Sequence, residues 1–189
     1  MEAREKLVEA TRQLLWTRGY TATSPKAILA AAGVGQGSMY HHFAGKEALA
    51  AEAIAINGSE LRCAMDTDLT MPGSTVERLE RYLLRYREVL NGCRFGRLTQ
   101  DPHVVESSAL RAQVDEMFRW MCARLEQVIE EGQHRGEFPA DVDAQDLAAM
   151  VVAVVEGGYV LARARSDPEA FASAARGAVA LLRRAVATC

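Results

Sequence analysis

Apolar residues recur at helical spacing along almost the whole chain of 189 residues. Runs of alternating β-branched residues bounded by hairpin dipeptides, which would predict strands, do not appear in the sequence. The pattern therefore predicts an all-α fold of about nine helices, three short ones followed by longer ones.

Glycine, proline and capping residues divide this pattern into separate helices. Gly19 ends the first helix, and Ser24 followed by Pro25 is a typical N-cap and first helical residue for the second. Because Pro102 interrupts residues 94–105, we expect a short helix and an irregular joint there. The helices are expected over residues 2–18, 25–33, 36–43, 46–64, 76–91 and 110–136, with another starting after Asp143 and a last one over 169–187.

Charge is distributed unevenly along the chain. The formal net charge is -3 and the pI is about 5.9, so the overall composition does not predict a nucleic-acid partner. Residues 11–46, however, contain no Asp or Glu, although they include Arg12, Arg18, Lys26 and Lys46. This distribution predicts a positive face at one end of the molecule. The alternative is a solvated surface that lacks acidic residues by chance.

The second and third helices are joined by the short turn Ala32-Gly33-Val34-Gly35. Gly33 can adopt the positive φ that a sharp turn needs, and Val34 can fill the angle between the two helices. Two short helices joined in this way predict a helix-turn-helix, whose second helix enters the major groove of DNA.

Small polar residues open the third helix, where a recognition helix meets base edges. The Gln36 amide can pair with adenine, the Ser38 hydroxyl can serve several bases, and Gly37 lets the backbone approach closely. Side chains around them are expected at phosphates, which fix register and give salt-dependent affinity. The predicted DNA-binding residues are Ser24, Lys26, Gly35, Gln36, Gly37, Ser38, Tyr40, His41, His42 and Lys46.

Residues 2–49 resemble the DNA-binding domain of the TetR family of bacterial transcriptional regulators. The matching positions are Ser24, Ile28, Ala32-Gly33-Val34, Gly37, Met39, Tyr40, His42-Phe43, Lys46-Glu47 and Leu49. Gly35 departs from the family's usual Ser or Thr helix cap, and Pro25 replaces a residue that often lies near the DNA backbone. More weakly, residues 91–96 (Asn-Gly-Cys-Arg-Phe-Gly) resemble the LmrA- and YxaF-like subgroup.

The resemblance implies a DNA-binding domain over residues 1–46 and a helical ligand-binding and dimerisation domain over 47–189. In this family the last two helices, here about 143–187, form a four-helix bundle with a partner subunit. The apolar stretch around 150–160 and its Gly157-Gly158 pair fit such an interface, although the central helix of a monomer would have similar residues.

Methionines, aromatic residues and one carboxylate in the body are candidates for lining an effector site. Glu156 lies within an apolar segment, so it must face solvent, find a partner or meet a polar ligand. Ordinary packing would explain the apolar candidates equally well. The predicted ligand-binding residues are Met65, Tyr86, Phe95, Met117, Trp120, Met121, Val152, Glu156 and Tyr159.

The four cysteines lack a CxxC pair, and no signal peptide precedes them, so thiols in a reducing, cytoplasmic compartment are expected. The longest apolar run, residues 147–155, is much shorter than the ~20 residues of a membrane span. His41 and His42 point in different directions on a helix and have no third ligand nearby in sequence, which argues against a metal site. No catalytic constellation is evident, so neither enzymatic activity nor a cofactor is expected.

Together these features predict a homodimeric repressor that a small-molecule inducer releases from a palindromic double-stranded operator. One alternative is a regulator that senses thiol oxidation through Cys93, which neighbours Arg94. A second alternative is a helical interaction module without DNA binding, which would leave the acid-free stretch unexplained.

Overall fold

The structure, a computed structural model, describes residues 2–187, with side chains up to residue 186. Over this range it has nine α-helices, two short 3-10 segments and no strand, which confirms the all-α prediction. The helices are α1 (Ala3–Arg18), α2 (Pro25–Ala32), α3 (Gln36–His42), α4 (Lys46–Thr70), α5 (Thr75–Leu84), α6 (Pro102–Glu106), α7 (Ser108–His134), α8 (Ala144–Arg165) and α9 (Glu169–Ala187). The 3-10 segments are Val89–Asn91 and Leu98–Gln100.

Two predicted helix ends were wrong. Helix α4 continues to Thr70 instead of ending near residue 64. Helix α5 ends at Leu84, seven residues before the predicted end at Asn91, because Arg85 leaves the helical conformation (φ -56°, ψ 150°). The Arg87 guanidinium then donates hydrogen bonds to the carbonyl oxygens of Tyr82 and Leu83, which the end of the helix leaves without helical donors.

The described chain divides into two compact units. The first comprises residues up to 60 together with residues 93–117, and the second comprises residues 61–92 and those from 118 onward. The predicted division after residue 46 stays a prediction.

Helices α1, α2, α3 and the start of α4 share the apolar core of the first unit. Leu7 of α1, Ile28 of α2, Met39 of α3 and Leu49 of α4 are each 0% exposed and belong to one cluster. This core holds the short helices α2 and α3, which could not be stable alone at eight and seven residues.

In the second unit, α9 packs against both α5 and α8. The contact between α8 and α9 is close at Gly158, where an added Cβ atom would lie 2.7 Å from Cδ2 of Phe171. Helix α5 is fixed at its N-terminus by Glu137, whose carboxylate accepts hydrogen bonds from the backbone N–H of Thr75 (2.8 Å) and its hydroxyl (3.0 Å).

Helix α8 carries an exposed apolar stripe. Ala149, Ala153, Gly157, Leu161 and Ala164 repeat every three or four residues and are all exposed. Among the described helices, α8 is the one long and apolar enough to cross a membrane by length and composition alone, with 33% of its most apolar window buried. A single helix of this kind is weak evidence for a membrane span, because the core helix of a globular protein passes the same test.

Candidate nucleic-acid interface

Local sequence chemistry fixes both ends of α2. The Ser24 hydroxyl accepts a hydrogen bond from the backbone N–H of Ala27 (3.1 Å), and Pro25 occupies the first helical position. At the other end, Gly33 adopts the left-handed conformation (φ 64°), as predicted for the turn. The next N–H, that of Val34, donates to the Leu29 carbonyl (3.2 Å), and the Val34 side chain packs against the core cluster.

Helix α3 is held by apolar residues on one side and presents polar residues on the other. Met39 is 0% exposed, and Phe43, directly after the helix, is 8% exposed, as predicted. Tyr40 is 62% exposed, Gln36 and Gly37 are exposed, and Ser38 is half-buried. The predicted base-reading residues therefore lie on an accessible surface.

The predicted residues from α2 and α3 meet around one open groove. This groove has a volume of about 790 Å³, and Ser24, Lys26, Gln36 and Tyr40 are among its lining residues. His41 and His42 are also exposed, and their rings contact each other edge to face with centroids 4.9 Å apart.

Among the described residues, no side chain lies close to the glycines at the start of α3. Gly35 is the N-cap of α3 with an extended conformation (φ -70°, ψ 158°), so no side chain caps this helix. A Cβ atom added at Gly35 or Gly37 would meet no atom within 4 Å. Packing within the described chain therefore does not require glycine at either position.

Lys46 occupies a different environment from the exposed residues of the set. Its Nζ donates a hydrogen bond to the Tyr20 carbonyl (2.7 Å) and lies 3.8 Å from the centroid of the Tyr20 ring. Partial burial lowers the pKa of the Lys46 ammonium, and the charge of Asp101 opposes this effect. Lys46 therefore ties α4 to the α1–α2 turn, and its phosphate contact stays a prediction.

The positive face is smaller than the sequence predicts. The Arg12 side chain is only 12% exposed and is paired with Glu9 (2.8 Å) and with Glu60. Arg18 and Lys26 are exposed, as the prediction requires.

The predicted ligand residues are dispersed over both units. Phe95 and Met117 are buried in the first unit, near Gly58 of α4. In the second unit Met65, Met121 and Val152 are buried, while Trp120, Glu156 and Tyr159 are half-buried. Tyr86 is 90% exposed, because the chain leaves the helix at Arg85, and its ligand contact stays a prediction.

Cys93, the residue of the thiol alternative, is half-buried. Its Sγ accepts a hydrogen bond from the backbone N–H of Gly96 (3.2 Å). A role in redox sensing stays a prediction.

Sequence reasoning missed two polar clusters in the first unit. In one, the Asn57 side-chain oxygen accepts hydrogen bonds from both Arg12 (2.8 Å) and Arg94 (2.9 Å). In the other, Asp101 binds Thr21 across 80 residues of sequence. No local pattern could have identified either cluster, because their members are far apart along the chain.

A pair of short helices joined by a left-handed glycine turn, with an exposed polar second helix, defines a helix-turn-helix protein. Comparison with known proteins agrees with this assignment to the helix-turn-helix class. The profile of the bacterial regulatory proteins of the tetR family matches residues 7–53, and the profile of the tetracyclin repressor-like C-terminal domain matches residues 74–178. The chain belongs to the TetR family and is a transcriptional regulator of the helix-turn-helix type.

Individual relatives cover most of the chain. The HTH-type transcriptional repressor DhaR of Mycobacterium sp. (strain GP1) is 29% identical over 162 residues, which are 83% of this chain and 80% of DhaR. The uncharacterized HTH-type transcriptional regulator YxaF of Bacillus subtilis (strain 168) is 25% identical over 174 residues, 88% of this chain and 87% of YxaF. The predicted resemblance to the YxaF-like subgroup is thereby confirmed.

A solved structure has the same fold over nearly the whole length. It is a TetR transcriptional regulator from Chloroflexus aurantiacus J-10-FL, with a TM-score of 0.86 and 26% sequence identity. The match covers 97% of this chain and 96% of that one.

Proposed function

We propose that this regulator is a homodimeric repressor that binds a near-palindromic operator through α3 and is released by a small molecule. The observation that carries the proposal is the construction of α3. Buried Met39 and Phe43 anchor the helix, while Gln36, Gly37 and Tyr40 are directed to solvent. A rigid helix with an exposed polar N-terminal half is suited to reading base edges in the major groove.

The groove between α2 and α3 supports a division of roles among these residues. Gln36 and Ser38 contact bases, whereas Ser24, Lys26 and Tyr40 contact phosphates on either side. The open space around Gly37 supports a close approach of the helix backbone to DNA, since nothing within the described chain occupies it. His41, His42 and Lys46 complete the proposed set of phosphate contacts.

The exposed stripe on α8 supports a dimer formed through the last two helices. Val160 beside this stripe and Leu181 on α9 are 60% and 65% exposed. Exposed apolar side chains that add to such a stripe are typical of a protein–protein interface. An isologous contact between two copies would bury these residues and place two α3 helices on one operator. Half-sites separated by one turn of the duplex, about 34–36 Å, would then be read together.

Sedimentation velocity tests the dimer. Val160→Glu should convert a dimer to a monomer, because a charge would be buried without a partner at the interface. Val105→Glu on α6, at a 45% exposed position outside the last two helices, is the matched control. A dimer that persists in Val160→Glu at micromolar concentration would refute this interface.

The regulatory part of the proposal is a shift between two states of the dimer. A ligand that binds the helical body lowers operator affinity only by its difference in affinity for the two states. The printed name of DhaR, a repressor, supports the negative sign of regulation. DhaR and YxaF are named as an HTH-type transcriptional repressor and an HTH-type transcriptional regulator, which supports a cytoplasmic DNA-binding role without enzymatic activity.

Fluorescence anisotropy with labelled duplexes tests DNA binding. The duplex is the region upstream of the protein's own gene, and a scrambled duplex of equal length and composition is the control. We expect at least ~10³-fold tighter binding to the specific duplex at physiological salt. Overlapping duplexes should cover the whole upstream region. If all of them bind with the same affinity as the scrambled duplex, the proposal is contradicted.

A further inference from the structure

One buried carboxylate joins the segment before α6 to the turn between α1 and α2. Asp101 is the N-cap of α6 and accepts a hydrogen bond from the backbone N–H of His103 (3.2 Å). The same carboxylate accepts the Thr21 backbone N–H through Oδ2 (2.8 Å) and the Thr21 hydroxyl through Oδ1 (2.5 Å). Asp101 is only 7% exposed, so groups of the protein replace most of the water around its carboxylate.

The turn that Asp101 holds directly precedes the helix-turn-helix. It begins at Gly19 with φ 80°, where an added Cβ atom would lie 3.0 Å from Oδ2 of Asp101. The Thr23 hydroxyl closes the turn by donating to the Gly19 carbonyl (2.6 Å), and Ser24 then caps α2. The conformation of this turn therefore sets the direction in which α2 leaves α1.

The carboxylate is ionised when it makes these contacts. Burial raises the pKa of Asp101, but the hydrogen bonds from the Thr21 hydroxyl and from the backbone N–H groups of Thr21, Val104 and Tyr20 together hold the pKa below its usual value. The Thr21 hydroxyl has one hydrogen, which it donates to Asp101, so it accepts from His103 Nδ1 at 2.9 Å. All three side chains thus form one ordered chain of hydrogen bonds.

An asparagine cannot reproduce this arrangement. Each carboxylate oxygen accepts a backbone N–H, Oδ2 from Thr21 and Oδ1 from His103. In either orientation of the amide of Asp101→Asn, its NH₂ group would face one of these two donors. One backbone N–H would therefore lose its acceptor in a nearly buried position.

We propose that Asp101 is a positioning residue for DNA binding, which holds the α1–α2 turn and thereby sets operator affinity without touching DNA. This inference rests on the proposed operator binding. Neither Asp101 nor Thr21 belongs to the predicted DNA-contacting set. Substituting either residue should therefore change operator affinity without changing the number of phosphate contacts.

Operator titrations over a range of salt concentrations separate this role from a direct contact. Asp101→Asn should weaken specific binding about tenfold, because losing hydrogen bonds to a charged group disfavours the competent conformation. The slope of log K against log salt should equal that of the wild-type protein, whereas Lys26→Ala should reduce it by about one. Asp143→Asn is the matched control, since Asp143 caps α8 through a single bond to Asp146 N–H (2.9 Å). Its affinity should stay within about twofold of wild type.

Thr21→Val provides a second variant that keeps the α6 cap and the backbone N–H. It should weaken operator binding, but less than Asp101→Asn does.

Hydrogen–deuterium exchange on DNA-free protein measures the turn itself: the amides of residues 21–23 should exchange faster in Asp101→Asn than in wild type or Asp143→Asn. Unchanged exchange, unchanged affinity, or a reduced salt slope in Asp101→Asn would each overturn the inference. A wild-type protein that binds no specific duplex would refute the proposed function instead, and the exchange experiment would still decide whether Asp101 holds the turn.

Discussion

The adjacent glycines of α8 give a prediction whose magnitude follows from the packing. At Gly158 an added Cβ atom would lie 2.7, 3.1 and 3.3 Å from three carbon atoms of the Phe171 ring, below ordinary contact distances. Phe171 is 6% exposed and also packs against Tyr159, with ring centroids 5.2 Å apart, so the ring has little room to move. Gly158→Ala must therefore strain the contact between α8 and α9.

Two opposing terms determine the expected free energy of unfolding. Overpacking of a core contact costs about 1–3 kcal/mol. Replacing glycine by alanine inside a helix contributes up to about 1 kcal/mol in the favourable direction. We therefore expect Gly158→Ala to lower the stability by about 1–2 kcal/mol. With a urea m-value of about 2 kcal/mol/M, the midpoint should fall by about 0.5–1 M.

Equilibrium urea unfolding at one fixed protein concentration provides the assay. Phe171→Leu removes the ring atoms that meet the new methyl group, so the double variant should be more stable than the sum of the two single changes predicts. Gly37→Ala on α3, outside the proposed dimer interface, is the control and should cause no loss, because no atom of the described chain lies within 4 Å of its added Cβ. Strictly additive effects of Gly158→Ala and Phe171→Leu would refute this reasoning.

Two further changes test the DNA-binding helix and the base of α5. Gly37→Ala should leave the melting temperature unchanged or raise it, since its added Cβ meets no atom of the described chain within 4 Å. The same change should weaken operator binding at least about tenfold, because the backbone of α3 is proposed to approach DNA closely. Wild-type affinity of this variant in anisotropy would exclude that approach. The hydrogen bond from Arg135, followed by that from the Thr75 backbone N–H, lowers the pKa of Glu137 from 4.5 to about 2. Its stabilisation is therefore complete above about pH 4.5 and is lost as the pH falls through about 2. Between pH 5 and pH 2, wild type should lose more stability than Glu137→Gln in urea unfolding, and parallel pH profiles would contradict this assignment.

The sequence predicted the helix-turn-helix well because local chemistry determines it. Ser24 and Pro25 start α2, and Gly33 ends it, through interactions within a few residues. Burial of Met39 and Phe43 followed from their spacing of four residues on a short helix. These features could be predicted without knowledge of any distant contact.

The errors had two causes, a contact between residues far apart in sequence and a local turn of the backbone. Arg12 was expected to contribute to a positive face, but Asn57 and Glu60 on α4 bind its guanidinium. Leu90 continues the apolar spacing of α5, yet the backbone turns at Arg85 and Arg87 then caps the helix end. Helical periodicity records which positions can be buried, not where a long polar side chain finds its partner.

The contact between Asp101 and Thr21 could not be predicted either, because these residues are also far apart in sequence. The sequence predicted a short helix and an irregular joint over residues 94–105, and the structure contains α6 there, with Asp101 as its N-cap. That the same carboxylate also holds the α1–α2 turn depends on the packing of the first unit. Local sequence therefore predicted a short helix here but neither of the two roles of Asp101.

The central claim is that α3 reads base sequence while neighbouring cations contact phosphates. The most direct measurement compares Gln36→Ala and Lys26→Ala in anisotropy titrations of the specific and scrambled duplexes at several salt concentrations. We expect Gln36→Ala to reduce the preference for the specific duplex by about 1–3 kcal/mol with an unchanged salt slope. Lys26→Ala should weaken binding to both duplexes and lower the slope by about one. If both variants lowered affinity for the two duplexes equally and with the same salt slope, α3 would not be the helix that reads the operator.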